Sequence, residues 1–174
     1  MGKSDTHAKE LEVYYICGFL NAISSLKDVI TPDLGGQNQF FTIPKDETKS
    51  IHENIIEYLK QNQKYYLQFL DQEGFEKKLT EIDLAVLFDW EIELSKQVAT
   101  WTSDQDLVAS FGHNGTLLSD RLVKLLSDFL KDERLYVYKL RSKTAGWHWA
   151  GQISDDYVFE TKSVIHILHF GESS

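Results

Sequence analysis

The hydrophobic pattern of this chain changes its period near residue 132, and this change constrains the fold more than any other feature. Before it, apolar residues recur at three- and four-residue spacing, which is typical of amphipathic helices. After it, residues 135–140 alternate as in a strand, with Tyr136, Tyr138 and Leu140 on one side. The pattern predicts an α+β fold in which a helical N-terminal two thirds, residues 8–131, packs on a C-terminal antiparallel β-meander, residues 134–170.

The first part of the chain is predicted to contain two helices. Residues 8–29 form the first, and the apolar segment 39–44 is predicted to be a loop that packs on it. The second begins after Ser50, because Ser50 and Glu53 have the spacing of a capping box ahead of a periodic apolar run.

The middle of the chain fits two patterns. Apolar residues within 75–86 recur at helical spacing and predict a third helix, which could continue as far as Val98, while residues 84–90 also fit a buried strand. Residues 100–115 are predicted to be a loop and residues 116–130 a further helix.

The last part of the chain is predicted to add two strands. Residues 157–160 and 164–170 are rich in aromatic and β-branched side chains, and a short polar turn at 161–163 joins them. With the strand at 135–140 they would complete the meander.

Length and composition fit one domain, residues 1–174, in which hydrophobic residues make up 42% of the chain. No apolar segment reaches the roughly 20 residues that a membrane span needs. The first residues lack the apolar region of a signal peptide. The single cysteine, Cys17, lies in an apolar helical pattern and is expected to pack in the core. We therefore expect a cytoplasmic protein.

The charge of the chain is strongly acidic and unevenly distributed. The formal net charge is -9, and residues 71–106 contain ten acidic residues against three lysines. This argues against direct binding of nucleic acid, because phosphates are bound by Lys and Arg. It favours a basic protein partner, although a solvated helix surface is an alternative explanation.

No convincing motif for catalysis, a cofactor or a metal is found. His166 and His169 are three apart on a predicted strand and should point to opposite faces, so one ion could not use both. Gly35 and Gly36 lack the strand and helix context of a phosphate-binding loop. Cys17 lacks a cationic neighbourhood that would lower its pKa. We therefore predict no enzyme activity, no cofactor and no metal.

Acidic residues next to tryptophans form the candidate binding surface. Trp90 lies between Asp89 and Glu91, and exposed tryptophans near acids make good anchors for a protein partner. Asp89, Glu91 and Glu93 would line one face of an extended segment but would spread around a helix. The predicted partner-binding residues are Asp83, Asp89, Trp90, Glu91, Glu93, Trp101, Asp104 and Asp106.

Two parts of the chain resemble bacterial immunity proteins. Segments 15–20 (Tyr-Ile-Cys-Gly-Phe-Leu), 41–44 (Phe-Thr-Ile-Pro) and 55–59 (Ile-Ile-Glu-Tyr-Leu) resemble the helical immunity proteins that protect against type VI amidase effectors. That family is usually exported and carries a second cysteine, which this chain lacks. Residues 164–174 resemble the last strand of immunity proteins from contact-dependent growth inhibition and related polymorphic-toxin loci.

The resemblance implies a cytoplasmic immunity protein that binds and neutralises the C-terminal domain of a cognate toxin, often a nuclease, by covering its active site. Such a protein would contact neither a membrane nor nucleic acid directly. Two alternatives stay open. One is a non-catalytic adaptor or regulatory domain that binds another protein. The other is an enzyme with a dispersed site, for which His113 and His148 are the candidate groups.

Overall fold

The computed structural model describes residues 3–30, 35–62, 71–102, 114–131, 133, 135–142, 148–149 and 152–173. Helices and strands alternate along these ranges. In chain order they are α1 (Lys3–Ile30), β1 (Gly35–Pro44), α2 (Ile51–Gln61), α3 (Gln72–Glu81), β2 (Ile82–Val86), α4 (Trp90–Thr102), α5 (Asn114–Leu130), β3 (Tyr136–Ser142), β4 (His148–Trp149), β5 (Gln152–Glu160) and β6 (Val164–Ser173).

The strands form one antiparallel sheet in the order β1-β6-β5-β3-β2, and β4 pairs with the start of β5. Strands β3, β5 and β6 lie side by side in chain order. The two outer strands, β1 and β2, come from much earlier in the chain. Among the described elements, β2 pairs with β3 after two intervening helices and β1 pairs with β6 near the end of the chain, so the sheet depends on long-range pairing.

The predicted separation of a helical N-terminal part from a C-terminal sheet is therefore wrong. Residues 39–44 belong to β1 instead of a loop, and residues 82–86 form β2 instead of extending the third helix. The alternative prediction of a strand at residues 84–90 is correct for residues 84–86, which belong to β2. The chain is helical again from Trp90. Strands that pack on both faces lack clean alternation, and β2 is only five residues long, so their sequence pattern does not identify them.

Local signals predicted the helices more successfully. Residues 8–29 and 116–130 are confirmed as parts of α1 and α5. The capping box of α2 is also confirmed, because Ser50 Oγ accepts from the N–H of Glu53 at 3.2 Å and Glu53 Oε2 accepts from the N–H of Ser50 at 2.7 Å. The remainder of the predicted second helix, residues 63–70, lies outside the described residues.

Helices cover both faces of the sheet. Because neighbouring residues of a strand point to opposite faces, Phe159 and Leu168 belong to one face and Val158 and Ile167 to the other. The first face packs against α1, α4 and α5, and the second against α2 and α3. The sheet is the middle layer of an α+β arrangement, and α4 is attached to its first face near the β2 edge.

The outer edge of β1 is covered by α1. The N–H of Lys45 donates to the carbonyl of Ser163 at 3.4 Å, so odd-numbered residues of β1 face β6 and even-numbered residues direct their backbone groups outward. Phe40 is one of these outward residues, yet it is 4% exposed and its carbonyl accepts from Cys17 Sγ at 3.1 Å. Pro44, which has no N–H, also occupies an outward position. Cys17 thus contributes a hydrogen bond to edge protection as well as packing.

Candidate protein-binding site

Trp90, the predicted anchor, is a core residue. It is the first residue of α4, is 8% exposed, and packs edge-to-face on Phe159 with ring centroids 5.3 Å apart. Leu94 and Val98 follow at four-residue spacing and are fully buried, so this side of α4 faces the sheet. The prediction that Trp90 is exposed to a partner is therefore wrong.

The apolar side chains on either side of Trp90 in the sequence are exposed instead. Phe88 is 90% exposed, Ile92 is 56% exposed, and Val86 at the end of β2 is 50% exposed. Ile92 is two residues from the buried Trp90 and Leu94, a step of about 200° around a helix, so it must face away from the core. Sequence reasoning missed Phe88 and Ile92 because the start of α4, and hence its buried side, was not identified.

Acidic residues lie next to these apolar side chains in the sequence. Asp83, Asp89, Glu91 and Glu93 are all exposed. The carbonyl of Asp89 accepts from the N–H groups of Ile92 and Glu93 at 3.1 Å each, so the chain is helical from here onward. We call the surface formed by these groups the β2–α4 surface. Its members are Asp83, Val86, Phe88, Asp89, Glu91, Ile92 and Glu93.

The carboxylates of α4 spread around the helix, as expected for helical geometry. Ser127 Oγ donates to Glu91 Oε1 at 3.4 Å, which places Glu91 on the side of α5. Glu93 pairs with Lys96 at 3.5 Å on an exposed side. The surrounding sequence has few positive charges to offset them, because residues 81–95 contain five acidic residues and no Lys, Arg or His. Although Arg141 lies opposite Asp83 on β3 and Lys96 pairs with Glu93, the β2–α4 surface keeps an excess of negative charge.

The remaining predicted site residues either lie far along α4 or fall outside the described residues. Trp101 lies in the last turn of α4, about 17 Å along the helix axis from Trp90. Asp104 and Asp106 lie outside the described residues, as does His113. His148 lies in β4, which is off the main sheet path and pairs with the start of β5.

A half-buried polar cluster attaches α4 to the sheet beside this surface. Lys139 forms an ion pair with Asp155, lies 3.2 Å from the Tyr157 hydroxyl, and is 4.7 Å from the centre of that ring. Gln97 of α4 donates from Nε2 to Asp155 Oδ2 at 2.6 Å. Burial, together with the charges of Asp155 and Glu93, raises the pKa of Tyr157 well above its usual range. The phenol stays neutral, and these contacts hold α4 in place.

The two histidines of β6 point to opposite faces, as predicted. His166 packs against Phe40 and Phe129 with ring centroids 5.5 and 5.0 Å apart, and Nδ1 lies 2.7 Å from Thr42 Oγ1. Burial, only partly offset by the charge of Glu133, lowers the pKa of His166 to about 4.

On the other face, His169 Nδ1 lies 2.7 Å from Asp156 Oδ1, and Asp156 is 5% exposed. Burial alone would lower the pKa of His169, but the charge of Asp156 and its hydrogen bond outweigh burial, so the pKa is raised. Among the described residues, no three histidine, cysteine or acidic side chains lie close enough together to hold a metal ion. In the same part of the chain, no helix is both long and apolar enough to cross a membrane.

Comparison with known proteins gives no family. No family model matches the chain, and no curated protein is significantly similar to it. Among solved structures, the chain is similar to citrus MAF1 in two crystal forms, with 12% and 11% sequence identity and a TM-score of 0.45 for each. The alignments cover 89% and 90% of this chain and 99% of each MAF1 chain. A likeness this weak assigns no function to the chain.

Proposed function

We propose that this chain is a non-catalytic protein that binds a basic partner protein through the β2–α4 surface. Two exposed apolar side chains in a strongly acidic stretch are the observation that supports this function. Phe88 and Ile92 are 90% and 56% exposed, and residues 81–95 contain five acids without a basic residue. Contiguous exposed apolar surface with a polar rim is typical of binding sites.

The two kinds of side chain would act at different stages of binding. The acids would attract a basic partner over a distance of about 10 Å at moderate salt and raise its association rate. Phe88 would then lose its exposed area in a pocket of the partner and slow dissociation. Because α4 is fixed to the sheet by Trp90 and by Gln97, the surface needs little ordering on binding, which favours affinity.

We further propose that the partner is the toxic C-terminal domain of a cognate bacterial effector and that the chain is its cytoplasmic immunity protein. The resemblance of segments 15–20, 41–44, 55–59 and 164–174 to immunity proteins supports this identity. A nuclease is the toxin class that fits the charge best, since a nuclease binds phosphates with Lys and Arg. An acidic surface can occupy the same groove and block its active site.

Coexpression with the toxic domain tests this function directly. The C-terminal domain of a large secreted protein encoded immediately upstream is expressed with and without this chain, and growth and copurification are measured. We expect the chain to restore growth and to copurify as a stable complex. Toxicity that persists despite good expression of the chain would contradict the immunity role.

A charge-reversal variant tests which surface binds. Three acids of the β2–α4 surface are changed to lysine: Asp89→Lys, Glu91→Lys and Glu93→Lys. The control makes the same charge change at exposed acids on α1, the β1–α2 turn and α3: Glu12→Lys, Glu47→Lys and Glu76→Lys. We expect the first variant to slow association about tenfold or more at low salt and the control about threefold at most. Equal effects would show that only net charge matters and that the site is elsewhere.

An adaptor role remains a second candidate, because α1 has an apolar surface of its own. Leu11, Tyr14 and Tyr15 are 56%, 74% and 58% exposed. Leu11 and Tyr15 border a groove of about 330 Å³ between α1 and α5 that Leu125 also lines. If the toxin test fails, Tyr14→Ser with Leu11→Ser should abolish the capture of a protein that wild type binds, while Phe88→Ser should leave it intact.

A further inference from the structure

We infer that the partner of the β2–α4 surface binds by adding a β-strand to the outer edge of β2. This inference deepens the proposed function and rests on it. β2 is the last strand of the sheet path and pairs on one side with β3. Its end leads directly into Phe88 and α4, so a strand laid along β2 would also reach the exposed apolar side chains.

The pairing of β2 with β3 shows which backbone groups point outward. The N–H of Leu87 donates to the carbonyl of Val137 at 2.8 Å, which continues the register in which Val86 lies opposite Tyr138. In an antiparallel ladder, only alternate residues bond the neighbouring strand. Odd-numbered residues of this segment therefore face β3, and Leu84 and Val86 direct their N–H and C=O groups away from the sheet.

The start of the edge is occupied, whereas its end is open. His52 Nε2 of α2 lies 3.3 Å from the carbonyl of Ile82, which is also an outward residue. Within the described ranges, no group hydrogen-bonds the backbone of Leu84 or Val86 outside the sheet, and Val86 is 50% exposed. The outer edge of β1 is not open in this way, because α1 covers it and Phe40 is only 4% exposed. Among the described residues, the end of β2 thus has a short stretch of backbone available for pairing.

Charge and side-chain alternation define the occupant as an extended segment of alternating basic and apolar residues. On an added strand, successive side chains would lie alternately on the face of Val86 and on the face of Asp83. Apolar side chains on the face of Val86 would contact Val86 and, past the end of β2, Phe88. Basic side chains on the face of Asp83 would approach Asp83 and the acids at the start of α4.

A second copy of this chain does not fit the same edge. Pairing β2 with another β2 would bring together two copies of residues 81–95, each with five acids and no basic residue, so the two segments would repel each other. Short length and a charged residue are also features that keep sheet edges from associating with themselves. β2 has five residues and includes Asp83, so it is suited to an oppositely charged strand and not to itself.

The test uses a short synthetic peptide of alternating lysine and valine as the basic strand. Binding to the full chain is followed by NMR, together with amide hydrogen exchange at Leu84 and Val86. We expect exchange at these two amides to slow about tenfold at saturation, since each gains a carbonyl acceptor. The same peptide with N-methyl groups at alternate residues should not protect them, and a glutamate-valine peptide should not bind.

A proline variant tests the same bond from the protein side. Val86→Pro removes an outward N–H without removing a bond to β3, and proline is tolerated at such edge positions. We expect Val86→Pro to weaken peptide binding about fivefold to tenfold and Val86→Ala, which keeps the N–H, to weaken it about threefold at most. If Val86→Pro unfolds, the N-methylated peptide decides the question with the wild-type protein.

The outcomes separate this inference from the proposed function. Binding that is lost on reversal of Asp89, Glu91 and Glu93 but unaffected by N-methylation would overturn strand addition and leave the acidic surface supported. Failure of the lysine-valine peptide to bind would also overturn strand addition, whereas the toxin coexpression test would still decide the function. Protection of Leu84 and Val86 with no effect of the charge reversals would support the edge and remove the acids from the site.

Discussion

The buried position of His166 predicts that acid destabilises this protein well before its carboxylates are protonated. The ring lies between Phe40 and Phe129, and Nδ1 is within 2.7 Å of Thr42 Oγ1. Burial holds the pKa of His166 at about 4, against an ordinary value of 6.5. Between these pH values the unfolded chain binds a proton at His166 and the folded chain does not.

The sign and size of the effect follow from this difference in proton binding. Stability rises with pH wherever the unfolded state binds more protons. The free energy of unfolding therefore carries no penalty from His166 above about pH 6.5, and it decreases as the pH falls toward 4. The loss amounts to about 3 kcal/mol over the whole range. His169 has the opposite sign, because its pKa is raised, and partly hides the effect in the wild-type protein.

A comparison of wild type with His166→Phe isolates this contribution. Phenylalanine keeps the ring packing, and Thr42, which is exposed, can bond water instead. Urea unfolding is followed by tryptophan fluorescence at about pH 7 and about pH 4.5, where the free energy of unfolding of wild type should fall about 2 to 3 kcal/mol more than that of the variant. Equal losses in the two proteins would refute the claim that His166 is buried in the neutral form.

Three further predictions concern packing and polar contacts. Trp90→Ala should lower the free energy of unfolding by about 3 to 5 kcal/mol, whereas Phe88→Ala should change it by about 0.5 kcal/mol or less, both measured in urea. Cys17 should react slowly with iodoacetamide in the folded protein, because burial raises the pKa of its thiol; reaction as fast as in urea would contradict this. Asp156→Asn should lower the pKa of His169 in an NMR titration and remove the stability that wild type loses as pH rises through that pKa.

Short-range patterns predict several features of the fold. They predict the proposed binding surface only in part. The capping box of Ser50 and Glu53 involves residues three apart, so it is visible in the sequence. The opposite directions of His166 and His169 follow from the two-residue period of a strand. The acidic character of residues 81–95 is visible from composition, but the prediction that Trp90 is an exposed anchor is wrong, because the buried side of α4 depends on where that helix begins.

The sequence alone determined where most helices form, how α2 is capped, and that the middle of the chain is strongly acidic, because these properties depend on neighbouring residues. Only the tertiary structure decided that β1 and β2 join the sheet, which edge stays open, and that Phe88 is exposed while Trp90 is buried. The contact between Thr42 and His166 spans 124 residues of sequence. Strand pairing over such distances depends on burying both faces of the sheet at once. Local sequence patterns therefore do not predict this pairing.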